Sequence, residues 1–384
     1  MQHDVTPAPR STDLRPWTAP SAAELDSPNA RSEHRRTTAV RRTRFRSRPW
    51  YPLYLLLVFL TSVWLFLRGD QWLADKLIWP ANGAEFVPVS QKTTQARPDH
   101  RYLTVVIGGL NRKSGSYIAQ ALRPSLSRAD TDIYSLVYGT SIVDVDLTAK
   151  FIDLLESTHP DVVNFYGSSM GGDVALNLAS QLGRMQGQPM GDEGYLFPSV
   201  GTIFLDCTPL STADVRQSSR TKADLLSAIT EAIGTEGGAI SRVAVEMLAQ
   251  RHQWASGVFP FPGGSFRFDD FKYKLSEIVR DKISGTGIST QLVTDQYGVI
   301  RRFRADDVLS ELPPGARLVY FRPEIGTDDN TINVARVQQQ LEDAAATYDL
   351  DLTVFLITDG EHASAEKNAT QYNQSIRVVY GLEP

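Results

Sequence analysis

Apolar positions along the chain fall into two alternating registers. Short runs rich in β-branched and aromatic residues occur at Tyr102–Ile107, Ile133–Tyr138, Asp161–Tyr166, Val200–Leu205, Arg317–Phe321 and Leu352–Ile357. Such runs predict buried strands. Between them, apolar residues recur at helical spacing. Val145, Leu147, Phe151, Leu154 and Leu155 mark a helix from about Val143 to Thr158. Val174, Leu176, Leu178, Ala179 and Leu182 mark another over Asp173–Arg184, and two more are predicted over Val334–Tyr348 and about Ala363–Tyr380. Strands alternating with helices predict right-handed βαβ units and an α/β fold, with a mostly parallel sheet flanked by helices.

The alternation breaks between Ser211 and Gly315. Helical patterns there cover Thr221–Ile233, Ile240–Trp254 and Phe268–Ile283, around a Gly/Pro loop, Phe259–Phe268, that carries Phe259, Phe261, Phe266 and Phe268. A structureless loop of this length is improbable in a compact domain, so residues 211–315 are expected to pack as a helical cap inserted before the next strand. Within it, those phenylalanines either line an apolar pocket or form the core of the cap itself.

Upstream of residue 101 the pattern differs. Residues 1–49 are rich in Pro, Ser, Thr and Arg and predict a disordered arm. Residues 50–67 are uncharged, and as a helix they would span about 27 Å. Trp50, Tyr51, Trp64 and Trp72 lie near its ends, as interfacial aromatics do. A single transmembrane helix over 50–68 is therefore expected, with a connector at 69–100 and the main domain at 101–384. The arm holds ten arginines against five acids, so the positive-inside rule places it in the cytoplasm and the rest of the chain outside. A cleaved signal peptide is the second reading, disfavoured by the long polar arm and the lack of a clear A-x-A site.

Charge and cysteine content narrow the chemistry. The chain carries −5 overall and the arm +5, which leaves −10 for the remainder. An acidic main domain argues against a nucleic-acid partner. The lone cysteine, Cys207, excludes an intramolecular disulfide framework and a multi-cysteine zinc site.

Against this background Gly167-Ser168-Ser169-Met170-Gly171 stands out as G-x-S-x-G between a predicted strand and a predicted helix. In that context the glycines let the chain close a sharp turn that exposes the Ser169 hydroxyl. Ser168 lacks glycines two residues to either side. No G-x-x-x-x-G-K-[ST] follows, which removes a phosphate-binding P-loop.

Three stretches in chain order carry a resemblance: the Ser169 turn, Arg322–Ile332 (RPEIGTDDNTI) and Thr358–Ser364 (TDGEHAS). Together they resemble the α/β-hydrolase superfamily, whose order is nucleophile, acid, histidine. The resemblance runs from about Tyr102 to Tyr380, outside the insertion, and implies Ser169 as nucleophile. It implies His362 as base, because His362 comes after the last predicted strand. His159 lies at the wrong end of the sheet, His3 and His34 in the arm, His100 before the first strand of the main domain, and His252 in the insertion. For the acid, a glycine, an aspartate and an apolar residue three further on select Asp329. Asp328 is close behind, then Glu324, with Asp206 at an alternative location used in some family members. Helix capping is the structural role open to Asp328 and Asp329. The main-chain amides of Met170 and Leu110 are the implied oxyanion donors, with Gly109 as substitute for Leu110. The activity implied by the resemblance is that of a serine hydrolase of carboxylic esters or thioesters, lipid-like acyl substrates included. Such an enzyme uses no cofactor or metal and takes a small-molecule acyl substrate. An acyltransferase with the same triad, or a non-catalytic binding module anchored in the membrane, are the alternatives.

Overall fold

The computed structural model describes residues 53–62, 65, 69, 83–90, 102–127, 131–139, 142, 146–191, 194–221, 223–224, 247, 251–256, 264–279 and 290–382. Residues 1–63 and 64–384 form two separate compact units. In the first, residues 53–62 are helical with exposed side chains. Among the described residues no helix is long and apolar enough to cross a membrane. The transmembrane helix expected over 50–68 is thus not supported; residues 50–52, 63–64 and 66–68 of that stretch lie outside the described residues.

The second unit is built on seven strands: β1 (Ala84–Ser90), β2 (Tyr102–Ile107), β3 (Thr131–Tyr138), β4 (Val162–Ser168), β5 (Ser199–Asp206), β6 (Arg317–Pro323) and β7 (Asp351–Ile357). They lie in the order β1-β3-β2-β4-β5-β6-β7. Every pairing is parallel except β1 with β3. This mostly parallel sheet fits the α/β-hydrolase architecture. The antiparallel edge strand β1 falls inside the expected connector. Pro88 breaks its strand pattern, and its register shifts between Pro88 and Ser90, as a proline at a sheet edge allows.

Strand alternation sorts the core into two layers. Leu103, Val105 and Ile107 of β2, Val163 and Phe165 of β4, Ile203 and Leu205 of β5, and Leu318 and Tyr320 of β6 face one side. There they meet the helices α2 (Leu147–Thr158), α3 (Met170–Met185) and α7 (Val334–Tyr348). Val106, Tyr166, Phe204, Val319 and Phe321 face the other side, against α1 (Ser116–Leu126) and α8 (Ala369–Val379). Helix α1 has no strong sequence signal: Pro124 sits inside it. Helix α8 starts six residues later than the pattern suggests, because residues 363–368 form turns and bends around His362.

The insertion divides into parts. Met247, Trp254 and Ala255 form a small core of their own, joined by Phe271 and Leu275 of α4 (Phe268–Val279). Residues 217–221 and 223–224 are helical, as are Met247 and, in a short 3-10 turn, Arg251–Gln253. The rest of the helices expected at 221–233, 240–254 and 280–283 lies outside the described residues. Two further helices are not foreshadowed by the apolar pattern, α5 (Thr290–Arg302) and α6 (Ala305–Ser310). Leu292, Val293, Tyr297, Ile300 and Phe303 belong to the main core rather than to the small one. The C-terminal part of the insertion is therefore packed into the hydrolase-like body.

The ends of β2, β4 and β5 agree to within one residue: Ile107 pairs with Gly167 and Ser168 with Asp206. Strands β6 and β7 run two residues further, since Asp206 pairs with Phe321 and Pro323 with Ile357. Five loops leave this same carboxyl edge of the sheet. The elbow after β4 needs space without side chains. A Cβ on Gly171 would lie 2.4 Å from the Ile107 carbonyl oxygen, and one on Gly167 would lie 2.4 Å from Gly172 Cα. Both neighbours are main chain and cannot swing aside. Gly171→Ala is accordingly expected to cost about 3 kcal/mol, at the severe end for single substitutions. Urea unfolding checks this, and a loss below about 0.5 kcal/mol would contradict the packing described.

Candidate active site

Ser169 is the junction between β4 and α3, with φ 51° and ψ −127°. A non-glycine residue in this region is strained by roughly 1–3 kcal/mol and persists only where its surroundings fix it. Its N–H donates to the Asp206 carbonyl at 2.7 Å, and its carbonyl accepts from Gly172 N–H at 2.9 Å. Next to it, a Cβ on Gly109 would lie 2.8 Å from Ser169 Cβ, so the loop after β2 touches the serine itself.

The structure brings three of the residues singled out in the sequence into one hydrogen-bonded chain. His362 Nε2 lies 2.9 Å from Ser169 Oγ, and His362 Nδ1 lies 2.8 Å from Asp329 Oδ2. The second Asp329 oxygen accepts the amides of Thr331 at 2.8 Å and Ile332 at 2.7 Å. Asp329 is fully buried. Burial alone would raise its pKa, but the hydrogen bond and charge of His362, with the Ile332 and Thr331 amides, outweigh burial and hold it below the usual carboxylate value. An ionised, fully bonded carboxylate is what fixes an imidazole tautomer with a proton on Nδ1 and a free lone pair on Nε2.

The competing acids are placed elsewhere. Asp328 is exposed. Glu324 accepts from the Thr358 hydroxyl at 3.1 Å. Asp206 is buried below the elbow, where its carboxylate accepts the hydroxyls of Tyr372 at 2.8 Å and Tyr166 at 3.0 Å. Cys207, the next residue, sits at φ 50°. The Cys207 thiol, an Asp329 carboxylate oxygen and a His362 ring nitrogen lie within 4.8 Å of one another. Burial pushes the thiol pKa well above its ordinary value, with Asp206 and Asp329 adding to the shift. In the metal-free protein it therefore stays protonated at neutral pH.

The two expected oxyanion positions flank the serine. Met170 opens α3, where main-chain amides point toward developing negative charge. Gly109 and Leu110 line the same cavity as Ser169 and His362. That cavity measures about 270 Å³, with Val215, Ile300 and Ile332 among its apolar walls. Phe266 and Phe268 are not part of it. Phe266 instead packs against Trp254 and Phe271 at the outside of the small core, with ring centroids 5.8 and 5.3 Å away, and both Phe266 and Phe268 are exposed. Phe259 and Phe261 lie outside the described residues.

Arg216 carries no sequence signal. Its Nε donates to the Asp329 carbonyl at 2.7 Å and its Nη2 to the Gly326 carbonyl at 3.0 Å. Its own N–H donates to Thr331 O at 2.7 Å, beside an antiparallel bridge between Val215 and Ile332. The start of the insertion is thereby zipped to the acid loop.

No family model matches the chain, and no curated protein matches it. Solved structures with a similar chain path include MGS-M2, an alpha/beta hydrolase enzyme from a Medee basin deep-sea metagenome library. It is 10% identical with a TM-score of 0.46, over 78% of this chain and 95% of that one. The enol-lactonase from Burkholderia xenovorans LB400 is 12% identical with a TM-score of 0.46, over 78% and 96%. An esterase from Exiguobacterium antarcticum is 11% identical with a TM-score of 0.43, over 77% and 94%.

The two buried carboxylates make opposite contributions to stability against pH. Burial raises the Asp206 pKa to about 6, although the Tyr372 and Tyr166 hydroxyls pull it back. A carboxyl with a raised folded-state pKa binds its proton more tightly when folded, so its contribution is full below about 4 and is lost as pH rises toward 6. Asp329, with a lowered pKa, contributes above the ordinary carboxylate range and loses that contribution in acid. Asp206→Asn should abolish the first effect. Urea unfolding from about pH 4 to about pH 7 should show the wild type losing stability relative to Asp206→Asn, by on the order of 3 kcal/mol. A constant difference across that range would contradict the assignment.

Proposed function

We propose that this chain is a serine hydrolase that cleaves carboxylic esters or thioesters through an acyl-enzyme at Ser169. The observation that carries this reading is the unbroken chain Asp329–His362–Ser169, with links of 2.8 and 2.9 Å and the serine on a strained strand-to-helix turn. A bare serine is a poor nucleophile, and a base within hydrogen-bond reach, itself oriented by a third group, is what activates it.

In the acylation step Ser169 Oγ attacks the substrate carbonyl carbon while His362 Nε2 takes the hydroxyl proton. The carbonyl oxygen becomes an oxyanion and is met by the amides of Met170 and Leu110. Collapse of the tetrahedral intermediate breaks the bond to the leaving alcohol or thiol, which takes the proton from Nε2. Water then enters, gives a proton to Nε2 and attacks the acyl carbon. Release of the acid returns the proton to Ser169. Asp329 stays ionised throughout and stabilises the imidazolium. The cavity, small for a ligand site and walled in part by Val215, Ile300 and Ile332 beside Arg112, Ser219 and Thr331, suits a short acyl group.

A fluorophosphonate probe and p-nitrophenyl butyrate test this reading. The wild type should be labelled and should turn over the ester. Ser169→Ala and His362→Ala should each remove turnover, and the double variant should be no worse than either, because members of one catalytic unit are strongly non-additive. Asp329→Asn should lower kcat by up to about 10⁴-fold, the scale seen when the tautomer-setting carboxylate is lost. Asp328→Asn should leave it within a few-fold. Turnover retained in Ser169→Ala would overturn the proposal.

A further inference from the structure

We infer that Gln296, on helix α5 of the insertion, is a positioning residue for the oxyanion loop; the inference rests on the hydrolase reading above. Gln296 is fully buried. Its Oε1 accepts the Asn111 N–H at 2.8 Å, and its Nε2 donates to the Arg112 carbonyl at 2.9 Å. One side-chain amide thus satisfies a donor and an acceptor on adjacent residues of a loop 184 and 185 positions away in sequence.

The loop it holds is the one that meets Ser169. Arg112 N–H donates to the Gly109 carbonyl at 3.2 Å, so residues 109–112 form a turn with Leu110 and Asn111 at its corners. Asn111 has φ 68°, the left-handed value that the third position of a type II turn requires and that asparagine tolerates. In such a turn the amide of the second residue, here Leu110, takes no part in the turn's own hydrogen bond. It is left to point outward, beside a serine whose Cβ lies 2.8 Å from where a Gly109 Cβ would stand. The turn alone fixes the loop weakly, with one long bond. Gln296 adds two shorter ones on its C-terminal half, so Leu110 is gripped between the packed Gly109 and the clamped Asn111.

The neighbouring residue extends this arrangement. Asp295, also buried, accepts the Ile142 N–H at 3.1 Å, and Ile142 lies just beyond β3, the sheet neighbour of β2. Tyr297 and Ile300 on the same helix line the cavity. One helix therefore sets a cavity wall and holds the loop that supplies one of the two oxyanion donors. Oxyanion donors act in the transition state more than in the ground state, so loosening one should lower kcat and leave KM nearly unchanged.

Gln296→Met, of similar length and without hydrogen-bonding groups, tests this in the full chain with p-nitrophenyl butyrate and with amide hydrogen exchange over residues 108–113. The expected result is a kcat about 30–100-fold lower, somewhat less than deletion of a whole donor. KM should stay within about twofold, and the Asn111 amide should exchange faster. An unchanged kcat, or a loss confined to KM, overturns the positioning role. Unchanged exchange at Asn111 overturns the clamp. If Gln296→Met does not fold, Gln296→Glu, which keeps the acceptor for Asn111 and loses the donor to Arg112, is measured in the same way, and an unchanged kcat there overturns the proposal as well. A wild type without Ser169-dependent turnover overturns the hydrolase reading and the catalytic part of this one together, while the exchange experiment still separates a real clamp from an absent one.

Discussion

The main-chain conformation of Ser169 is the constraint on which the rest of the site depends. A residue at φ 51° and ψ −127° is held there only by what surrounds it. Strand β4 fixes the approach, helix α3 fixes the exit, and the Asp206 carbonyl on the adjacent strand takes the serine N–H. The glycines at 167 and 171 let β2 and the first turn of α3 close to distances no side chain would permit. The register of β4 on β5 makes this possible. Ser168 pairs with Asp206, and without that pairing the Asp206 carbonyl would not stand where it takes the Ser169 N–H.

Among the described residues five aspartates are buried, and besides Asp295 they are handled by four kinds of physics. Asp329 is ionised, because an imidazole and two main-chain amides together outweigh its burial. Asp206 is poised at about 6 between burial and two tyrosine hydroxyls. Asp214 accepts from Leu210 N–H and the Ser211 hydroxyl and is ion-paired with Arg336 Nε at 3.1 Å. Asp173, in the first turns of α3, has no hydrogen-bond partner on either oxygen. Burial, with Asp214 adding to it, lifts its pKa well above the ordinary value, a shift toward the neutral form that lessens the cost of a buried unpaired charge.

Much of this is legible in the sequence for simple reasons. Buried parallel strands are continuous apolar runs, and amphipathic helices show their period, so the six parallel strands and the helices α2, α3 and α7 can be read directly. Ser169, Asp329 and His362 are suggested by a resemblance in chain order, which leaves Asp328, Glu324 and Asp206 open as the acid; they meet because each follows a strand, and a parallel sheet delivers its strand ends to one edge. Elements whose stability comes from partners rather than from their own pattern are hidden. β1 is an edge strand interrupted by a proline, α1 contains Pro124, and α5 looks polar in sequence because Asp295 and Gln296 occupy buried positions that a periodicity argument assigns to solvent. Arg216 and Gln296 are invisible for a related reason. Their partners are main-chain atoms 113 and 185 residues away, and a main-chain partner leaves no mark on sequence.

The insertion also changes in meaning. A cap that merely covered a finished site would keep its own core and touch the body through side chains alone. The segment around Trp254 has such a core of its own. The two ends of the insertion do not. The first end hydrogen-bonds through Arg216 to the loop that carries Asp329, and helix α5 through Gln296 to the loop beside Ser169. Both grips fall on main chain, whose geometry sets where the Asp329 carboxylate and the Leu110 amide point. Both loops are short connections with little apolar surface of their own, so packing alone would fix them poorly, whereas a buried hydrogen bond fixes direction as well as distance. Change at either end of the insertion therefore reaches the geometry around Ser169, Asp329 and His362 directly.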